Sequence, residues 1–97
     1  MELSKNALTV LQDFYGRKTL VRIDYQHAVD ICSAIKLNKD FINRISDNYR
    51  TYMARCQGLK ISPLNRQRYT TLAKTLYRDK TGICDELLKY WSEECIR

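Results

Sequence analysis

Apolar residues recur three and four positions apart in five stretches of the chain, the spacing that lines one face of a helix. The first stretch holds Ala7, Leu8, Val10, Leu11 and Phe14. Ser4 can cap its open N–H groups, Leu3 and Leu8 fit a hydrophobic staple, and Gly16 supplies a left-handed stop. Residues 17–24 include the short β-like run Leu20-Val21-Arg22-Ile23, which has no partner strand and reads as an extended linker. A second helix is predicted from Asp24 or Tyr25 to Leu37, with Asp24 as cap and Ala28, Ile31, Cys32 and Ile35 inward. A third is predicted to start at an Asn38 cap, with Leu37 and Ile42 as its staple. Its inward row is Phe41, Ile42, Ile45, Tyr49, Tyr52, Met53 and Cys56, and Gly58 ends it. Ser62-Pro63 reads as an N-cap followed by proline at the first helical position. The fourth helix then carries Leu64, Tyr69, Leu72, Ala73, Leu76 and Tyr77. The fifth begins near Thr81-Gly82, with Asp85 and Glu86 facing the positive end of its dipole. Ile83, Leu87, Leu88, Tyr90 and Trp91 are its apolar surface. The pattern predicts an all-α fold, a single small orthogonal bundle of about five helices forming one domain over residues 1–97.

The join of the second and third helices has the spacing of a helix-turn-helix. Counting Ala28 as position one, Ile31 is fourth, Ile35 eighth, Leu37 tenth, Ile42 fifteenth and Ile45 eighteenth, with the small Cys32 fifth. The spacing resembles helix-turn-helix domains over about twenty residues. In a DNA reader, Asn38, Lys39, Asn43 and Arg44 would face the duplex, and asparagine and arginine suit adenine and guanine edges. Two features oppose that reading. The ninth slot, where positive φ favours glycine, is Lys36, and Asp40 and Asp47 would face phosphates. The same spacing also describes a plain corner of a helical bundle.

Charge moves the candidate surface downstream. From Lys60 to Lys80 there are six basic residues and one acid, Asp79, whereas the segment after it is mainly acidic. Arg66, Arg68, Lys74 and Arg78 form the candidate partner-binding set, because guanidinium and ammonium groups bind phosphates or partner carboxylates. The alternative is a solvated helix face. Pro63, the only proline, precedes this segment. An exposed X–Pro corner is a docking point accessible to a prolyl isomerase, which makes that enzyme a candidate partner. Tyr49, Tyr52, Tyr69 and Tyr77 suit either an interface or half-buried places in a thin core.

Composition sets the remaining bounds. A chain of 97 residues buries about 60–65% of its unfolded surface, which disfavours a deep catalytic pocket. The net charge of +6 favours polyanionic or acidic partners, nucleic acid included. No secretory signal or membrane-spanning run is recognisable, so a cytoplasmic location is expected. Cys32, Cys56, Cys84 and Cys95 then stay reduced and read as small buried hydrophobes. Their spacing, with His27 as the only histidine, gives no metal set and implies no cofactor. His27 and Cys32 lie five apart, on different faces of a helix, and no phosphate loop or hydrolase triad is present. A non-catalytic protein is expected, with no catalytic residues assigned.

In size, basicity, helical composition and cysteine usage the whole chain resembles the anti-RecBCD proteins of lambdoid phages. The resemblance rests on no single motif, so it transfers no residue roles. It implies a non-catalytic phage accessory protein that binds a large host complex, the RecBCD helicase–nuclease. Such a protein inhibits or modifies DNA-end processing and so favours phage recombination. The alternative from the residues themselves is a DNA-binding transcriptional regulator that uses residues 28–47.

Overall fold

In the computed structural model, which describes residues 2–95, α1 runs Lys5–Tyr15, α2 Arg22–Leu37, α3 Ile45–Leu59, α4 Arg66–Arg78 and α5 Ile83–Tyr90. The first turns of α1, α2, α4 and α5 are tied down by a side chain or by a glycine, and those ties fix where these elements begin. A 3-10 turn, Ile42–Arg44, precedes α3, and a π-helical turn, Trp91–Cys95, follows α5. The fold is all-α, with no strand among the described residues. The Cys95 side chain and Arg97 lie outside what is described.

Ser4 caps α1 as expected, its Oγ accepting from the Ala7 N–H at 3.2 Å. Gly16 closes the helix at φ 70°, a conformation that costs glycine little. Residues 17–21 form the expected non-helical linker. Asp24 is not the cap of α2 but lies one turn inside it. Its Oδ2 reaches back to accept from the Val21 N–H at 2.9 Å, and its Oδ1 pairs with Arg17 at 2.6 Å. Both carboxylate oxygens are therefore partnered, which is the condition for burying them.

The corner after α2 differs from the expected one. Asn38 does not open a helix; its Oδ1 accepts from the Asp40 N–H at 3.1 Å in a local turn, and α3 begins only at Ile45. Phe41, in that turn, is fully buried, whereas Leu37 is 87% exposed and cannot serve as a staple. α3 continues through Gly58 to Leu59, and Lys60 takes the left-handed position at φ 59°. α4 is capped by Asn65, whose Oδ1 accepts from the Arg68 N–H at 2.8 Å, so Ser62 and Pro63 precede the helix instead of opening it. Gly82 opens α5 with Asp85 and Glu86 in the first turn, as expected.

α2 is the hub of the bundle, packing on α3, α4 and α5, while α1 packs on α5. One buried cluster holds Ala7 and Leu11 of α1, Ala28, Ile31 and Cys32 of α2, Tyr52 and Cys56 of α3, Tyr69, Leu72 and Leu76 of α4, and Leu87 of α5. Met53 and Tyr77, expected inward, are each 42% exposed. The Cys32 thiol meets that of half-buried Cys84 across α2 and α5. Their hydrogen bond, together with burial, pushes the Cys32 thiol up. Among the described residues, no helix is long and apolar enough to cross a membrane.

Candidate docking site

The segment between α3 and α4 has no helix of its own, so its backbone polar groups need other partners. Three buried or half-buried side chains supply them. The Leu64 N–H donates to Tyr52 Oη at 2.7 Å, and the Leu64 carbonyl accepts from Tyr49 Oη at 2.9 Å. Tyr52 Oη also lies 2.7 Å from His27 Nδ1. The Ser62 carbonyl bonded to His27 can only accept, so neutral His27 carries its proton on Nε2 and donates it there, and Nδ1 accepts from the Tyr52 O–H. Burial lowers the His27 pKa, against the opposing pull of Asp24, Asp30 and that carbonyl, so the neutral form is the folded one. Before the corner, the Ile61 N–H donates to the Cys56 carbonyl at 3.0 Å.

These bonds hold residues 61, 62 and 64 while Pro63 itself, in a trans bond, stays exposed. The exposed proline predicted from the sequence is therefore present, on a rigid pedestal. Residues Met53, Ala54, Ile61 and Pro63 form the apolar part of an open groove, with Arg50 and Lys60 at its rim. The helix behind it is positioned by a two-pronged ion pair from Arg55 Nε and Nη2 to the two Asp30 oxygens, each at 2.6 Å. Of this site the sequence offered Pro63 as a docking point and Tyr49 and Tyr52 as interface or core tyrosines, without joining them. His27 and Tyr52 are 25 positions apart, and no spacing signal joins them.

The four predicted cations do not form one surface. Tyr69, Leu72, Ala73 and Leu76 are the buried face of α4, and the basic residues are distributed around the rest. Arg66 turns toward α3 and donates from Nη2 to Ser46 Oγ. Arg68 turns toward α1, its Cζ 4.4 Å from the Phe14 ring centre and its Nη2 3.4 Å from the Phe14 carbonyl. Lys74 and Arg78 line a separate groove with Val10, Thr71 and Ile83. Pro63 and Arg66 therefore share the α3 side, and the other three cations face elsewhere.

The residues proposed to read DNA sit in the corner rather than on a helix. Asn38 and Lys39 precede the 3-10 turn, and Asn43 and Arg44 belong to it. Asn43 donates to Asp40 Oδ1 at 2.7 Å, and Arg44 Nε lies 3.9 Å from Asp40 Oδ2. Lys36 stays helical, so the left-handed turn of a helix-turn-helix does not form at the ninth slot. No known protein family, curated protein sequence or solved structure matches the chain.

Proposed function

We propose that this chain is a non-catalytic accessory protein that docks on a large host nucleic-acid-processing complex and inhibits or modifies it. The RecBCD-like identity of that complex follows from the whole-chain resemblance. The docking mode rests on one observation, the exposed Pro63 corner held by buried His27 and Tyr52 beside an apolar groove. A surface ordered before binding loses little entropy on association, which is how a thin domain can bind well. A prolyl isomerase acting at Pro63 belongs to the same reading, because the proline is the exposed point of the corner.

The test adds purified protein to a purified RecBCD-type helicase–nuclease and follows degradation of linear duplex DNA. Altered degradation together with co-elution of the two proteins supports the reading. Unchanged degradation and separate elution overturn it. Pro63→Ala should weaken the effect and lower the thermal midpoint only slightly, since the Pro63 ring takes no part in the bonds that hold the corner and its loss only loosens the unfolded chain. The regulator reading has less support, because Asn43 and Arg44 are engaged with Asp40.

A further inference from the structure

We propose that the outward face of α3 beside the Pro63 corner is the seat of an acidic, extended protein segment that carries apolar side chains between its acids. This rests on the docking reading and assigns the chemistry of what docks.

Ser46, Arg50, Met53, Ala54 and Gln57 recur at helical spacing and share one side of α3, roughly perpendicular to the side that buries Tyr52 and Cys56. From Ser46 to Gln57 that face is about 16 Å long, the span of about five residues of extended chain. Its middle is apolar. Met53 is 42% exposed, and Ile61 and Pro63 form the facing wall. Its ends are basic, with Lys60 at one and Arg50 and Arg66 at the other. The acid beside them is Asp47, 3.5 Å from Arg50, and both side chains are more than 70% exposed, so the pair is weak.

Lys60 adds an independent observation. It holds the left-handed conformation at φ 59°, where glycine would be easier and a lysine is strained. A charge placed at a strained helix end beside a groove is the pattern of a functional position. The occupant must match cations at the ends and an apolar floor between them. A nucleic-acid strand carries a charge on every nucleotide and would set phosphates over Met53 and Pro63. A peptide strand sends alternate side chains to opposite faces, so its apolar residues can enter the groove while acids reach the rim.

The test is fluorescence anisotropy of a fluorescein-labelled peptide, Glu-Asp-Leu-Glu-Phe-Asp-Glu, titrated with the full chain at low salt. Saturable binding is expected. Arg50→Glu, Lys60→Glu and Met53→Asp should each weaken it about tenfold, and Lys74→Glu, on the outer side of α4, less than about twofold. Each variant is first checked for a wild-type circular dichroism spectrum, with Lys60→Gln as the milder substitute. Three results overturn the proposal: no binding by the wild type, equal loss in Lys74→Glu, or displacement by oligothymidylate more readily than by unlabelled peptide. Host-enzyme capture is run on the same preparations. Capture without peptide binding overturns this inference and leaves the docking reading standing, while peptide binding without capture does the reverse.

Discussion

Tyr52 and Tyr69 pack with ring centres 4.8 Å apart, and their hydroxyls have opposite fates. Tyr52 Oη bonds to His27 and Leu64, while Tyr69 Oη is buried with no hydrogen-bond partner among the described residues. Removing the first hydroxyl strands two buried groups; removing the second relieves one. Tyr52→Phe should therefore destabilise by about 2–4 kcal/mol, and Tyr69→Phe should be neutral or stabilise by about 1 kcal/mol, as read by urea denaturation. Helical spacing placed both rings inward, and both are buried. Which hydroxyl would be bonded was not legible, since it depends on a histidine from another helix.

His27 adds a pH dependence to the same network. Burial holds its folded-state pKa below the ordinary value. The unfolded chain takes up this proton near pH 6.5, the folded one only at lower pH. Between those two points the unfolded state binds more protons, so stability rises with pH and is lost as pH falls below about 6.5. The limiting slope is about 1.4 kcal/mol per pH unit. Unfolding free energies measured between about pH 5 and pH 8 should fall below about pH 6.5 in the wild type, at no more than this slope, and fall less in His27→Gln. Equal slopes would show that His27 is not the group responsible.

At the scale of elements, apolar spacing located all five helices but misplaced three of their starts, those of α2, α3 and α4. Periodicity reports phase within a helix and is silent on the turn where that phase resets. α2 ends at Leu37 as expected, but that leucine stays in solvent, and Phe41, expected inward on the third helix, is buried from the turn before it. Leu37→Glu should change stability by less than about 0.5 kcal/mol, and Phe41→Ala should cost about 3–5 kcal/mol. Thermal unfolding of the two variants is the check. The start of α4 was expected at Ser62 and lies at Asn65, a cap the sequence reading missed. Tyr49 and Tyr52 settle it by binding both backbone groups of Leu64, which holds Leu64 outside the helix. The other end of the corner offers a cleaner probe. Lys60→Gly removes the strain at φ 59° and should raise stability by about 0.5–1 kcal/mol, in the same variant that loses a rim charge of the groove.

At the scale of the whole molecule, a run of cations in sequence is not a patch in space. The six basic residues from Lys60 to Lys80 were legible as a block, and the structure disperses them. Arg66 and Arg68 lie about 200° apart around the α4 axis, because each residue turns the helix by about 100°. One points toward Ser46 and the other over Phe14, while Lys74 and Arg78 occupy the outer side. The consequence can be measured as salt dependence. Each phosphate contacted contributes about 0.9 to the slope of log affinity against log salt, so a duplex lying on one side and meeting two or three cations gives a slope of about −2 to −3. All six acting together would give about −5. Duplex binding titrated against salt should therefore be weak and shallow. A slope near −5 would mean that the cations converge after all and would return the molecule to the DNA-binding class. A shallow slope would leave its net charge of +6 to act mainly on acidic protein surfaces, as proposed for the groove at Pro63 where Arg50 and Lys60 flank the apolar floor.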